Sequence, residues 1–419
     1  MDNVRKQPAN RMLRLPDRPL RILYHHRTQG RGAEGNHIVS VVTALRELGH
    51  RVTVLSPNGI DPFSKETSPV DKVKTKASGI TVLWRFISRN FPNWLFELAE
   101  ILYNIPAYIR VSRALRSDRY DLVYERYAFF LIAGAVAATR HGVPFLLEAN
   151  EVSGVPERAR KQSFTRLCNG FERVLFRRCS RIHAVSSYLA DRARHAGATP
   201  DQLVVVPNGF DMSRVPDIQR REELRRRFGL DGYFVLGFAG WFDDWDRLED
   251  LVDVLNRVLV QSPNYRMCLI GDGRGRAAAE QRAAQYGIAD KVVFTGAVGR
   301  SEVYDFLSML DVGVLPNSNM FGSTMIMFEM MGLGIPLVLP RLPPIEDVHR
   351  HGESALLFEP LNVDECSKHV QSLFSDELFR KQISSVARRV LIEEHSWVKT
   401  VKNILATRDD YAVVSQNAD

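Results

Sequence analysis

The sequence predicts an α/β protein made of two doubly wound domains. Residues 20–24 form an apolar run, and a loop, a helical pattern and a second apolar run at residues 51–55 follow it. Residues 312–338 repeat this order, with a buried strand, a turn, a short apolar helix and another buried strand. Units of this kind build parallel sheets covered by helices. The length of 419 residues suits two such domains of about 200 residues each.

The first unit contains the spacing Gly30-x-Gly32-x-x-Gly35, which is also that of a dinucleotide-binding turn. This spacing is weak support for a dinucleotide site, because no acidic residue ends the second strand, where residues 55–57 read Leu-Ser-Pro. The helical pattern over residues 37–48 predicts a helix between the two strands, which is how a doubly wound domain begins.

Polar residues follow two later strands of the first half. Glu125 and Arg126 come directly after the strand predicted over residues 121–124, and Glu148 follows the strand predicted over residues 144–147. Since ligands bind at the carboxyl ends of parallel strands, these side chains are candidates for contact with a substrate.

The stretch from residue 91 to 116 is apolar and aromatic on one face and is flanked by arginines. Such a stretch suits the surface of an anionic membrane. The alternative interpretation is a pair of helices facing the core and separated at Pro106.

Composition and charge narrow the class of protein. The net charge is +7, which suits acidic ligands or anionic membranes, but no nucleic-acid-binding motif accompanies the basic residues. The arginine-rich run of residues 220–227 reads as a solvated helix face. Four scattered cysteines and the lack of an apolar leader or an 18-residue apolar run predict a cytoplasmic protein with reduced thiols.

Residues 319–338 are the stretch most suggestive of a ligand site. Gly322 allows a tight approach of the backbone, and Ser323 is a suitable N-cap for the helix that follows. The start of a helix favours a phosphate, and Glu329 lies one to two turns later among Met and Phe residues. We therefore consider a site where Glu329 accepts hydrogen bonds from ribose hydroxyls beside a phosphate. A plain βαβ crossover whose glutamate faces solvent is the alternative.

This stretch resembles the nucleotide-sugar site of retaining glycosyltransferases of the GT-B class, glycosyltransferase family 4. One branch of that family carries the pattern Gly-Ser-Pro-x-Lys-x-Phe-Glu-Tyr-Met-Ala-x-Gly-x-Pro. The chain departs from it at Thr324, which replaces Pro, and at Ile326, which replaces Lys. Phe321 stands where the commoner family form has a second Glu. The matching residues are Gly322, Ser323, Phe328, Glu329, Met331, Gly334 and Pro336.

Other family motifs extend the resemblance over almost the whole chain from Leu20. Residues 205–211 match Val-x-Pro-Asn-Gly-x-Asp, which is expected to close the first domain. Gly271 belongs to a strand ending in Gly-x-Gly, and Gly296 and Val298 belong to a motif whose backbone holds the base of the donor.

The resemblance implies two domains that face each other across a cleft. The expected divisions are a disordered tail over 1–18, an acceptor domain over 19–212, a linker over 213–230, a donor domain over 231–392 and a helix over 393–419 that crosses back to the first domain.

The positions that carry phosphate-binding cations in the family are altered here. Trp241 replaces an Arg and Asp246 replaces a Lys, in addition to Ile326. A cation near a phosphate contributes about 1–3 kcal/mol, so the loss of all three matters. Arg247, one residue further along, is the candidate substitute.

The resemblance implies transfer of a sugar from a nucleotide-sugar donor to a hydroxyl acceptor with retention, without a metal ion or other cofactor. The implied partners are a saccharide or lipid-linked acceptor in polysaccharide or glycolipid assembly, and an anionic membrane at its cytoplasmic face. The catalytic candidates are Glu329, His37 and Glu125. The donor-binding candidates are Gly35, Asn36, Trp241, Arg247, Gly271, Gly296, Val298, Gly322, Ser323, Thr324 and Glu329.

Two alternatives remain at this point. The altered cation positions suit a catalytically degenerate protein of the same fold that binds a partner or a nucleotide. A nucleotide-sugar epimerase of this fold would need an acid and a base about the sugar, and the sequence identifies neither.

Overall fold

The structure is a computed structural model that describes residues 13, 15–28, 32–57, 62–63, 92–154, 163–211, 218–299 and 302–406. These residues form two compact units. The first contains the described residues up to Val206 and from Thr400 on, and the second contains those from Pro207 to Lys399. Each unit contains one parallel six-stranded sheet, which confirms the predicted fold class. Within the described ranges, no helix is both long enough and apolar enough to span a bilayer.

The sheet of the first unit has the strand order β2-β1-β3-β4-β5-β6. The chain runs outward from the middle in both directions, so the topological switch point lies between β1 and β3. At this point His25 is in register with Glu125. The strands are β1 (Arg21–His25), β2 (Arg51–Leu55), β3 (Leu122–Arg126), β4 (Phe145–Ala149), β5 (Arg181–Ala184) and β6 (Leu203–Val205).

The sheet of the second unit has the order β12-β11-β10-β7-β8-β9, with its switch point between β7 and β10. Its central strands are buried on both faces, which explains their nearly continuous apolar sequences. The strands are β7 (Phe234–Phe242), β8 (Tyr265–Gly273), β9 (Val292–Gly296), β10 (Val312–Val314), β11 (Leu337–Pro340) and β12 (Leu356–Phe358).

Helices connect the strands of both sheets. Those of the first unit are α1 (Gly32–Glu47), α2 (Asn93–Leu102), α3 (Asn104–Ser117), α4 (Ala133–His141), α5 (Thr165–Phe176) and α6 (Ser187–His195). Those that begin in the second unit are α7 (Ile218–Arg227), α8 (Leu248–Leu259), α9 (Arg276–Gln285), α10 (Val303–Leu307), α11 (Met325–Gly332), α12 (Pro343–Glu346), α13 (Val363–Ser375), α14 (Glu377–Glu394) and α15 (Trp397–Leu405).

Both ends of the described chain are attached to the first unit. Of the expected tail, residues 1–12 and 14 lie outside the described residues. Leu13 is buried, and Arg18 pairs with Asp121 at 2.7 Å. Near the other end, the guanidinium of Arg181 donates to the carbonyl of Ile404 at 2.9 Å. Ile404 lies in the last turn of α15, where main-chain carbonyls have no N–H donor from a following turn of the helix.

The division between the units comes earlier than the predicted boundary at residue 212. The segment after Val206 belongs to the second unit. The main-chain N–H of Phe210 donates to the carbonyl of His395 at 2.8 Å, and its ring packs so closely on Gly332 that a Cβ there would lie 2.4 Å from it. By these contacts, residues 207–211 group with the second compact unit.

The predicted linker over residues 213–230 contains helix α7, and its arginines are not simply a solvated face. Arg225 is buried, and its guanidinium contacts both carboxylate oxygens of Asp311 at 3.1–3.2 Å. The same side chain donates to the carbonyls of Met309, Leu230 and Tyr233 at 2.5–3.1 Å. Arg225 thus ties α7 to the start of β10, which the local sequence pattern does not reveal.

The helices α2 and α3 are separated at Tyr103, three residues before the predicted break at Pro106. Pro106 lies in the first turn of α3, where its missing N–H costs no helical hydrogen bond. Glu97 of α2 is buried and accepts from the main-chain N–H groups of Ser163 and Phe164 at 2.6 and 2.7 Å. One face of the pair is therefore packed in the first unit, as the core-facing interpretation expects.

We expect Arg225→Ala to destabilise the second unit by about 1–3 kcal/mol, because it takes a buried donor away from three carbonyls and from Asp311, which keeps Arg221 and the main-chain N–H of Val235 as partners. Urea unfolding followed by circular dichroism measures the change. Arg226→Ala removes the same charge from an exposed position of α7 and is the control. Equal stability of the two variants would contradict the anchoring role of Arg225.

Candidate functional site

The candidate donor site is built at the switch point of the second sheet. The loop after β7 and the loop after β10 leave the sheet there in opposite directions. The side-chain amide of Asn317, after β10, donates to the carbonyl of Trp245, after β7, at 2.9 Å. This hydrogen bond joins the two loops directly at the place where parallel sheets bind their ligands.

Ser323 is held by a residue more than a hundred positions earlier in the chain. Its hydroxyl oxygen accepts from the main-chain N–H of Asn208 at 3.1 Å, and its carbonyl accepts from the side-chain amide of Asn208 at 2.8 Å. The prediction that Ser323 caps the helix is wrong, because α11 begins at Met325 and Thr324 is the N-cap. The hydroxyl of Thr324 lies 3.1 Å from that of Ser318 and makes no capping hydrogen bond.

The turn before α11 is shaped by Asn319. Its side-chain oxygen accepts from the main-chain N–H groups of Gly322 at 2.6 Å and Phe321 at 3.3 Å. A Cβ on Gly322 would lie 2.9 Å from that oxygen, so a larger residue there would displace the side chain of Asn319. The N–H of Gly322, a predicted donor-binding residue, is therefore used within the turn. The N–H groups at the start of α11 itself are the further donors.

Glu329 lies in the second turn of α11 and is half-buried. Its neighbours Met327, Phe328, Met330 and Met331 are fully buried. The helix thus packs through these side chains, and Glu329 is less buried than they are. This placement agrees equally with the predicted ribose acceptor and with the alternative of a glutamate that faces solvent.

Strand β7 carries an exposed indole near its end, and the loop after it is acidic. Trp241 is 67% exposed, and Asp243 and Asp244 follow it. Arg247, the candidate substitute cation, is bound through two nitrogens to the carboxylate of Asp250 at 2.5 and 2.9 Å. Side chains three residues apart can meet on the surface of a helix, so the pair of Arg247 and Asp250 could have been predicted from the sequence. Its charge is already compensated in this structure.

Asp246, at the family's lysine position, is buried. Burial raises the pKa of Asp246 to about 7. The N–H of Asp243, which donates to Oδ2 of Asp246 at 2.9 Å, opposes this rise in the pKa, and the negative charge of Asp243 adds to it. A protonated carboxyl at this position is neutral and can donate a hydrogen bond, which an ionised aspartate beside a phosphate cannot do.

The remaining donor candidates of the second unit lie on strand ends. Gly271 has φ +131°, and a Cβ there would lie 1.9 Å from the carbonyl oxygen of Gly240, so this glycine is required by strand packing. Gly296 has φ +74° and open space around it, and Val298 packs partly against the core. Of these positions, Gly296 has the room that a ligand requires.

In the first unit the catalytic candidate Glu125 is buried and paired. Its Oε2 contacts Nδ1 of His25, and a Cβ on Gly134 would lie 1.9 Å from the same oxygen. The other carboxylate oxygen, Oε1, and Nε2 of His25 are buried with no hydrogen-bond partner among the described residues. The sequence pattern did not indicate this His25–Glu125 pair.

His37 is likewise buried, in the second turn of α1. Its Nε2 lies 2.8 Å from Oε1 of Glu148, which also contacts Arg126, while the hydroxyl of Tyr124 donates to Oε2 at 3.0 Å. Burial alone would raise the pKa of Glu148, but the charges of His37 and Arg126 outweigh it and hold this pKa well below its usual range. Glu148 is therefore an ionised centre that fixes the position of His37.

Gly35 and Asn36 lie within α1, which begins at Gly32, and not in the preceding loop as predicted. Gly35 is buried and Asn36 is half-buried. Residues 29–31 of that loop lie outside the described residues. Arg27, before the loop, pairs with Glu100 at 3.1 Å.

Two family models together match most of the chain. The model described as Glycosyltransferase Family 4 matches residues 34–214, and the model described as Glycosyl transferases group 1 matches residues 220–390.

Curated relatives and solved structures are similar over most of their length. A D-inositol 3-phosphate glycosyltransferase of Geodermatophilus obscurus is 26% identical over 416 residues, covering 93% of this chain and 88% of that protein. A 2-deoxystreptamine glucosyltransferase of Streptomyces kanamyceticus is 26% identical, covering 81% of this chain and 89% of that protein.

The structure of Anabaena HepE in complex with UDP-glucose has a TM-score of 0.66 at 18% identity, covering 94% of this chain and 100% of that one. The sucrose-phosphate synthase of Thermosynechococcus elongatus has a TM-score of 0.67 at 16% identity, covering 95% and 100%.

We expect Asp246→Asn to stabilise the protein at pH 8 but not at pH 4. The pKa of Asp246 is about 7 in the folded state and lower in the unfolded state. At a pH between these two pKa values, the folded protein holds a proton on Asp246 that the unfolded chain does not. The wild type therefore loses stability as the pH rises through this range. The gain at pH 8 is up to ~4 kcal/mol. Asp244→Asn, at an exposed neighbouring position, is the control. Urea unfolding at both pH values measures the difference, and parallel pH profiles of wild type and Asp246→Asn would contradict it.

Proposed function

Because this chain belongs to glycosyltransferase family 4, we propose that it transfers a sugar from a nucleotide-sugar donor to a hydroxyl acceptor with retention of configuration. The observation that carries the proposal is the turn and helix over residues 319–332 at the switch point of the second sheet. There the start of α11 and the carboxylate of Glu329 can hold a phosphate and a ribose. The structure of HepE with UDP-glucose supports a donor of this class.

In the proposed reaction, the bond between C1 of the sugar and the phosphate oxygen breaks, and the acceptor oxygen bonds to C1 on the same face. The proton of the acceptor hydroxyl passes to the departing diphosphate. The protein positions both substrates and stabilises the diphosphate through the N–H groups at the start of α11, without a metal ion. A protonated Asp246 adds a hydrogen-bond donor where the family has a lysine.

A catalytically inactive donor-binding protein is the second candidate. The observation that favours it is the engagement of Arg247 by Asp250, beside an acidic loop of Asp243, Asp244 and Asp246. The two functions differ in one measurement. An enzyme consumes the nucleotide sugar in the presence of acceptor, or hydrolyses it slowly without one, and a binding protein leaves it intact.

We extend the proposal to a lipid-linked acceptor at the cytoplasmic face of a membrane. Five large apolar side chains, here called the apolar stripe, are 41–62% exposed on α2 and α3: Trp94, Leu98, Leu102, Ile105 and Ile109. Arg113 and Arg116 are exposed on the following turns of α3. Apolar side chains followed by cations along one helix fit the interface of an anionic bilayer.

The donor proposal predicts that UDP or GDP binds to the purified protein in isothermal titration calorimetry. Glu329→Ala should weaken binding by about 10- to 150-fold, since a hydrogen bond to a charged group contributes about 1.5–3 kcal/mol. Glu394→Ala, at an exposed position of α14, removes the same charge and should leave the affinity unchanged. Equal affinity of the wild type and Glu329→Ala would overturn the assignment of Glu329.

The membrane proposal predicts that the protein co-sediments with vesicles containing anionic phospholipid and not with neutral ones. The double variant Ile105→Ser, Ile109→Ser should lose most of this binding, because each buried apolar side chain contributes about 1.5–3 kcal/mol. Leu378→Ser changes an 81% exposed apolar residue of α14 and is the control. Unchanged sedimentation of the double variant would contradict the role of the apolar stripe.

A further inference from the structure

A second concave surface lies at the opposite end of the second sheet from the candidate donor site. It consists of two adjoining cavities of about 330 and about 430 Å³ that share Gly334 and Ser384 as lining residues. The residues that precede β10 and β11, Asp311 and Pro336, line the first cavity. We call the two cavities together the basic groove.

The lining of the basic groove is strongly cationic. Helix α14 runs along it and contributes positively charged and hydroxyl side chains at successive turns, and α7 adds Arg221. The acidic lining residues are Asp311 and Glu393. The basic ones are Arg221, Arg380, Lys381, Arg388 and Arg389.

Three of the five cations are already engaged by the protein. Arg221 pairs with Asp311 at 2.9 Å, and Lys381 pairs with Glu377 at 2.5 Å. Arg380 donates to the carbonyl of Leu373 at the end of α13. These three side chains line the first cavity, and their charged groups already contact other groups of the protein.

The other two cations have no such role. Arg388 and Arg389 are exposed, and neither forms an ion pair with any residue in the described ranges. Ser384 and Ser385 lie one turn earlier on the same side of α14 and line the same cavity. The hydroxyl of Ser384 donates to the carbonyl of Lys381 at 3.1 Å. Two guanidinium groups beside the hydroxyl of Ser385 form a set of donors that matches the oxygens of a phosphate ester.

We propose that the basic groove binds a phosphate monoester through Arg388 and Arg389. The cavity volume accommodates a phosphorylated sugar, and the exposed side chain of Ile392 offers an apolar surface beside the phosphate position. The site is separate from the donor site, because it lies at the amino-terminal ends of β10 and β11.

The basic groove is connected to the donor site by a single helix. Helix α11 begins at the turn that holds Ser323 and ends beside Leu333 and Gly334, which line the groove. A ligand that contacts this end therefore touches the element that carries Glu329. This connection makes the groove a place where a phosphorylated metabolite can act on donor binding.

The test is calorimetric titration of the whole protein with glucose 6-phosphate, alongside sedimentation with vesicles that contain phosphatidic acid. The double variant Arg388→Ala, Arg389→Ala should weaken binding of the probe at least tenfold. The matched control is Arg226→Ala, Arg227→Ala, which removes two exposed arginines from α7. Glu329→Ala should bind the probe like the wild type, so that a failure of the donor proposal is separate from a failure of this one.

Binding of the free ester that is lost only in the Arg388, Arg389 variant supports a soluble ligand. Binding of phosphatidic-acid vesicles alone, lost in the same variant, supports a lipid headgroup as the source of the phosphate monoester. The proposal is overturned if neither probe binds, or if both double variants lose binding equally, because then only the net charge matters.

Discussion

The contact between Asn208 and Ser323 is the constraint on which the candidate site depends. Two hydrogen bonds of 3.1 and 2.8 Å hold the residue just before α11 to the segment that opens the second unit. At the other end of α11, the ring of Phe210 fills the space where Gly332 has no side chain. The same short segment, Pro207 to Phe210, therefore contacts both ends of the helix that carries Glu329. With the helix fixed in this way, its N–H groups and the Glu329 carboxylate are preorganised for a ligand.

Charge is arranged differently here from what the family resemblance leads one to expect. The positions of the family cations hold Trp241, Asp246 and Ile326, and Arg247 is compensated by Asp250. In the proposed function, a diphosphate is therefore stabilised by main-chain N–H groups, with the protonated form of Asp246 as a further donor. An acid in this state loses its ability to donate as the pH rises above its pKa of about 7.

The sequence predicted the two sheets well, because strands buried on both faces are continuous apolar runs that a local pattern reveals. It also placed Glu329 on a short apolar helix after a glycine turn. It did not predict that the hydroxyl of Ser323 is used by Asn208, or that Arg225 anchors β10 through Asp311. Both contacts join residues about a hundred positions apart. The spacing of apolar residues along the chain carries no information about contacts between such distant residues. The pairing of Arg247 with Asp250 was, by contrast, readable from its helical spacing.

The central claim is that a nucleotide sugar binds at the switch point of the second sheet. Hydrogen–deuterium exchange with and without the tightest-binding nucleotide sugar tests it most directly, because each peptide reports its own region. The account predicts that exchange slows in residues 315–329 while peptides of α14 remain unchanged. Binding that leaves residues 315–329 unprotected, or that protects only α14, would contradict it.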